Sequence, residues 1–285
     1  MKKIPYLHIL LFVATFATTL AAGALQQGIN IFKEPGRIGE GLPFAGTLMT
    51  ILLFHELSHY IASKKHHMEA TLPYFIPSPT LIGTFGAFIK MKSPIVTRRA
   101  LIDVGASGPI SGFIISVIAC IIGLSMSKVI PMPTNVEGTL SLGDSILFSF
   151  LSKVVLGITP DRYDVLLHPV AFAGWIGLFV TSLNLIPIGQ LDGGHIAYAI
   201  LGERHRYVSM LLVFVLAFLG ISAALGNSGW EGWLVWAVLM LILGIKHPPV
   251  LYWEVPLDPK RRLIGFISLV IFVITFIPSP FKLIP

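Results

Sequence analysis

The sequence predicts an all-α, multispanning membrane protein of about six or seven transmembrane helices with one short membrane-associated β-hairpin or strand. Three observations carry this expectation. Of 285 residues, 54% are A, V, I, L, M, F, W, Y or C, and 27 more are glycine. Charged residues make up 12%, about half of the ~25% usual in soluble domains, too few to cover a soluble globule. Apolar runs of about 20 residues, the length a bilayer-crossing helix needs, recur along the chain. A soluble enzyme, a disordered tail and a coiled coil are thereby excluded. The net charge of +6 is the usual basic excess of membrane-protein loops, so the partners expected are lipid and other membrane proteins, with no nucleic acid. Cys120 is the single cysteine and cannot close an internal disulfide.

The candidate spans lie near 5–25, 43–63, 105–127, 168–188, 207–225, 230–245 and 263–279. The first follows Met1-Lys2-Lys3, as a cleavable signal peptide would, but its apolar run exceeds the about 7–15 residues of such a signal, which favours a retained helix. Trp230, Trp233 and Trp236 suit an interface belt at the start of the sixth. With the N-terminus in the cytoplasm, 14 of the 20 Lys and Arg residues fall inside and 6 outside. That distribution obeys the positive-inside rule and suits a bacterial-type inner membrane. The chain reads as one polytopic domain, 1–285, with core spans over 43–200 and C-terminal helices over 201–285.

Two connections are longer than turns. Segment 129–165, outside, combines Pro131, Pro133 and Gly138 with an amphipathic stretch at 143–156 that can lie on the membrane surface. Segment 64–104, inside, is apolar between Leu72 and Ile89, yet Pro73, Pro77 and Pro79 forbid a regular helix there. Its residues 81–89 are too few to span, and Thr84, Phe85, Phe88 and Ile89 favour a strand.

The second span contains His55-Glu56-Leu57-Ser58-His59. Histidines at i and i+4 share a helix face and can bind one metal ion. Glu56 flanks that face and can act as a base without being a ligand, the H-E-x-x-H arrangement of zinc hydrolases. Three ionisable groups inside a membrane span mark function by default. A catalytic zinc site wants a third protein ligand, and Asp192 is the candidate. It follows Pro187 and Gly189 in a broken helix at the cytoplasmic end of the fourth span. Capping the helix that follows is its plain alternative. An ion pair with Arg98 or Arg99 explains Asp103. His195 is either an outer partner of Asp192 or an interfacial residue, and His66, His67, His168, His205 and His247 fall at span ends or in loops, where solvated roles are the default.

His55 through His59, followed by Asn184-Leu-Ile-Pro187 and Asp192-Gly193, resembles the site-2 protease family of intramembrane zinc metalloproteases, whose pattern is H-E-x-x-H plus N-x-x-P-x-x-x-x-D-G. Gly108-Pro109-Ile-Ser-Gly112 is similar to that family's G-P-x-x-x segment. The resemblance covers about residues 43–200; the PDZ or CBS domains of many members have no room in this chain. It implies one zinc ion held by His55, His59 and Asp192, Glu56 as the base, and membrane-anchored substrates such as anti-sigma factors or remnant signal peptides. Asn184 is expected either to donate to substrate or oxyanion, or to make a cap or interhelical bond.

A transmembrane substrate must unwind before it can be cut, and lipid cannot satisfy the freed backbone groups. A strand edge can accept them. Gly83, Thr84, Phe85 and Gly86, opening the stretch to Ile89, are the candidate platform, with a packed plug or re-entrant loop as the alternative. Competing functions are a transporter with ionisable midplane groups and a metal-binding scaffold without catalysis. No inverted repeat favours the first, and the second leaves Glu56 without a role.

Overall fold

The computed structural model describes residues 5–131, 140–157, 163–227 and 229–283; Lys2, Lys3, Pro133, Gly138 and Arg162 lie outside the described residues. Apolar runs become helices; proline stands at the start of several of them, as at Pro5, Pro43, Pro169 and Pro259, and Pro109 lies inside the helix that begins at Arg98. Helix α1 (Tyr6–Gln26) leads through a 3-10 turn at Pro35–Gly41 into α2 (Leu42–Lys65), where Pro43 sits in the first turn and interrupts no intrahelical bond. α2 ends where His67 turns left-handed at φ 56° and the Met68 N–H returns to the Ser63 carbonyl. The apolar, proline-punctuated segment that follows forms an antiparallel hairpin of β1 (Tyr74–Pro77) and β2 (Thr84–Phe88).

Helix α3 (Arg98–Ser125) begins at Thr97, whose side chain accepts from the Ala100 N–H. Two short pairings follow, β3 (Lys128–Pro131) with β5 (Tyr163–Leu166) and β4 (Leu140–Leu142) with β6 (Phe281–Leu283). Between them lies α4 (Ile146–Leu156), matching the expected amphipathic stretch and capped by Ser145. The C-terminal part contains α5 (Pro169–Asn184), α6 (Asp192–Leu201), α7 (His205–Ala224), α8 (Gly232–Leu243) and α9 (Pro259–Thr275).

Four helical stretches among the described residues are long and apolar enough to cross a membrane: Tyr6–Gln26, Pro35–Lys65, Arg98–Ser125 and Asp192–Ala224. The other expected spans correspond to the shorter helices α5, α8 and α9. Large apolar side chains face outward, among them Phe214, Phe218, Val235, Ile242 and Phe266. Buried hydroxyls instead bond within their own helices, as Thr19 does to the Thr15 carbonyl, Ser116 to Gly112 and Thr181 to Gly177. This apolar exterior around a hydrogen-bonded interior is what a lipid solvent requires.

α3 is the central helix, packed against α2, α5, α6 and α9. Small residues let its backbone close on α5: a Cβ added at Gly123 would stand 2.1 Å from the Ala171 nitrogen, and one at Gly177 2.2 Å from Ser116 Oγ. Two expectations are corrected. Trp233 is not in an exposed belt; it is 1% exposed and donates its indole N–H to the Pro278 carbonyl at 2.6 Å, because α8 packs its start against the chain's last strand region. Asp103 pairs with Arg261 and His66 rather than Arg98 or Arg99, because α9 brings its first turn alongside α3. Arg98 instead lies over the Trp253 ring.

Gly123→Leu should force α3 and α5 apart. Overpacking of this kind costs about 1–3 kcal/mol, so the detergent-solubilised variant is expected to unfold several degrees below the parent in a thermal melt, whereas the same change at exposed Gly36, which has open space around it, should leave the midpoint in place.

Candidate metal centre

The site is assembled from three backbones. α2 presents His55 and His59 one turn apart, and both are buried, as is Glu56 between them. The chain then breaks after Asn184 and resumes at Asp192, the first residue of α6. Through the break the backbone turns tightly, with Ile188 N–H on the Ile186 carbonyl and Leu191 N–H on Ile188, and Gly189 at φ 55°. Side chains are excluded at the next two glycines. A Cβ at Gly193 would lie 2.0 Å from the Leu185 carbonyl oxygen, and one at Gly194 2.5 Å from that of Gly189. The helix cap is Leu191, so the Asp192 carboxylate is not engaged in capping.

The Asp192 carboxylate points back at α2. Its Oδ2 is 3.3 Å from His55 Nε2 and 3.3 Å from His59 Nε2, and the two imidazole nitrogens are 3.1 Å apart. Three donors held at about 2.0–2.1 Å by one tetrahedral zinc ion would stand about 3.3 Å from one another. The triangle therefore fits zinc, and the group can hold a metal ion. His59 Nδ1 lies 2.8 Å from the Val104 carbonyl. Donating there puts the ring proton on Nδ1 and leaves the Nε2 lone pair aimed at the other two donors.

Glu56 faces the same space, within electrostatic reach of His59 and Asp192, with the Ile89 backbone N–H against its carboxylate. Asn184 brings Nδ2 to 3.3 Å from His55 Nε2. Of the other expected site residues, Gly83 closes the hairpin turn, and its carbonyl accepts from Thr18 Oγ1 and the Ser78 N–H. Thr84 Oγ1 is engaged with Ile76 and Gly86 inside the hairpin. Phe85 is largely exposed, and Gly86, at φ 98°, has open space where a side chain would be.

The histidine expectations need correction. His195 bonds His247 at 2.6 Å rather than Asp192, since the loop after α8 folds over α6. His205 is buried against Ser209, and His168 caps α5 by accepting from the Val170 N–H. Burial holds His247, in that loop, neutral down to about 4.

Two functional contacts went unread. A Cβ at Gly108 would stand 2.1 Å from His59 Nε2, and one at Gly112 3.0 Å from His55 Nδ1. α3 thus lays a glycine against each imidazole. The signal was available, because glycines four apart on one helix match histidines four apart on the helix antiparallel to it.

A helical membrane bundle with an H-E-x-x-H span and a third donor from a broken helix defines a membrane metallopeptidase. Residues 43–222 match the model of peptidase family M50, and the chain belongs to that family, the site-2 proteases. It is similar to "Probable zinc metalloprotease EGY1, chloroplastic" of Arabidopsis thaliana, 29% identical across 95% of this chain and 52% of the relative. It is also similar to "Probable zinc metalloprotease EGY2, chloroplastic" of the same plant, 30% identical across 90% of this chain and 46% of the relative. The rice relative named "Probable zinc metalloprotease EGY1, chloroplastic" is 30% identical over 85% of this chain and 41% of its own. The chain spans about half the length of the curated relatives it matches. No solved structure matches it.

Gly108→Ala should push the His59 imidazole off its position. Metal affinity, measured by zinc retention against a chelator series, is expected to fall about 10–100-fold, the range seen when support for a ligand is disturbed.

Proposed function

We propose that the chain is an intramembrane zinc endopeptidase, cutting peptide bonds within or near transmembrane segments of membrane-anchored proteins. The observation that carries the reading is the buried triangle of His55, His59 and Asp192 with Glu56 beside it. One ion would be held by those three donors; zinc so bound acidifies water and polarises a peptide carbonyl. Glu56 takes the proton of the attacking water and returns it to the leaving amide nitrogen. The Ile89 N–H holds the Glu56 carboxylate in place, and Asn184, adjoining His55, is positioned to donate to the carbonyl oxygen as charge builds on it.

The hairpin supplies the place for an unwound substrate. Among the described residues β2 pairs only with β1, so its second edge is unpaired. Ile89, which directly follows β2, has its backbone N–H near the Glu56 carboxylate. Residues two apart in a regular strand share an edge, so Ala87 offers backbone groups on the side of Ile89, while the register shift between Ala87 and Thr84 interrupts the alternation at Phe85. A substrate strand added there would run past the catalytic carboxylate with its freed amides satisfied. Six or seven spans, counting α5, α8 and α9, and a site opening toward the cytoplasmic side complete the reading. The surplus of basic residues assigned to that side supports the orientation.

Glu56→Gln is expected to keep stoichiometric zinc and to lose cleavage of a model transmembrane substrate, because the amide keeps the shape without the base. Asp192→Ala should lose both zinc and activity. Normal cleavage by the first, or full zinc in a folded sample of the second, would overturn the assigned roles. A non-catalytic scaffold predicts no cleavage in the parent either.

Proline at the open edge removes an N–H that a substrate needs. Ala87→Pro should therefore cut turnover at least tenfold with zinc retained, tested beside Phe85→Pro. If both variants fold, hold zinc and cleave normally, β2 is not the platform.

A further inference from the structure

A cavity of about 660 Å³ opens between α2, α3 and α9, lined from α2 by Ser58, Ile61 and Lys65 on the helix face opposite Glu56. Its chemistry is graded. At the outer end stand Lys65, His66, Lys260 and Arg261, contributed by the last turn of α2, the residue after it and the first turn of α9. One turn deeper, about 6 Å along each helix at 1.5 Å per residue, the lining changes to Ile61 on α2 and Ile264 on α9, with Ile110 on α3. Ser107 contributes a hydroxyl between Asp103 and Ile110 on α3, and Ser58 contributes another about one turn deeper than Ile61 on α2.

The charges at the outer end do not cancel. The Asp103 carboxylate is shared by Arg261 and His66, and Asp258 is met by Arg261 and, at 3.9 Å, by Arg99. Lys65 and Lys260 are exposed and make no ion pair among the described residues. The groove thus offers two free cations at a membrane boundary, where three helices begin or end, above an apolar trough that faces lipid. A soluble anion would find no use for the isoleucines, and a wholly apolar tail no use for the lysines. An amphiphile with a negative head matches both.

We propose that this groove is a binding site for an anionic phospholipid, its phosphate between Lys65 and Lys260 and an acyl chain along Ile61, Ile110 and Ile264. Ser58 directly precedes His59, and Ser107 directly precedes the Gly108 that packs on the His59 ring. The lipid would therefore brace the α2–α3 contact that holds the metal triangle, from the side opposite the substrate edge.

The test titrates the full-length protein, in mild detergent, with dioctanoyl phosphatidylglycerol and reads an apparent Kd from the thermal midpoint. Dioctanoyl phosphatidylcholine and inorganic phosphate serve as comparators. Phosphatidylglycerol is expected to raise the midpoint saturably, and neither comparator should. Membrane-surface lysines acting on anionic lipid predict that K65Q/K260Q binds roughly thirtyfold more weakly. Ile264→Trp, which fills the trough and keeps every charge, should weaken binding as well; removal of two lysines elsewhere, K33Q/K153Q, should not. An unchanged Kd in K65Q/K260Q overturns the site. An equal shift with inorganic phosphate, or an unchanged Kd in Ile264→Trp, makes it a free-anion or surface-charge effect and overturns the lipid assignment.

Discussion

Everything near the centre of this molecule depends on bringing three electron-rich atoms together out of water. Two imidazole nitrogens and a carboxylate oxygen, all within 3.3 Å, repel one another unless a cation or shared proton stands among them. Such a cluster persists only if the surrounding backbone leaves it no other arrangement. α2 supplies two of the atoms by helical spacing alone. The rest of the fold exists, in effect, to deliver the third and to keep the first two from rotating away.

Delivery of the third requires a helix to stop inside the protein. Breaking a helix frees backbone groups that lipid would leave unsatisfied, and here they are met by tight turns among Ile186, Ile188 and Leu191. The glycines after Asp192 are part of the same solution, since the carbonyls of Leu185 and Gly189 occupy the space that side chains at 193 and 194 would need. Rotation of the histidines is prevented from the opposite wall. Gly108 and Gly112 bring the α3 backbone against the rings, and the Val104 carbonyl accepts a hydrogen bond from His59 Nδ1–H. The run from Val104 to Gly112 thus orients a site to which it contributes no ligand.

These physical roles explain what was legible in the sequence. Apolar runs and an i, i+4 histidine pair are local patterns with a fixed period, so the apolar helices, the shared face of His55 and His59 and a strand within 81–89, observed at Thr84–Phe88, could be read directly. Asp192 was legible because a carboxylate beside a proline break has few other uses in a membrane. Partnerships across the chain were not legible, because no local period encodes them. Asp103 was assigned to its sequence neighbours, yet it pairs with Arg261 across 158 residues. His195 was read as either a partner of Asp192 or an interfacial residue, yet it binds His247. Trp233 was placed by its amphipathic chemistry at an interface, whereas its indole N–H found a carbonyl in the interior. The span count was not legible for the same reason: a short helix such as α8, with 12 residues, packs among its neighbours and is not defined by its own length.

The hairpin shows how the first helix enters the same scheme. An isolated two-stranded hairpin is marginal in stability, and this one is stabilised from α1. Thr18 donates to the Gly83 carbonyl, His8 is bonded to that of Pro73, and Phe12 packs edge-on against Phe75. The turn glycine sits so close to α1 that a Cβ there would lie 2.5 Å from the Thr18 carbonyl oxygen. With the hairpin fastened to α1 and β1 closing one edge, β2 packs beside α2 with its second edge unpaired among the described residues. A chain that lost α1 would keep every metal donor and lose the support of that edge.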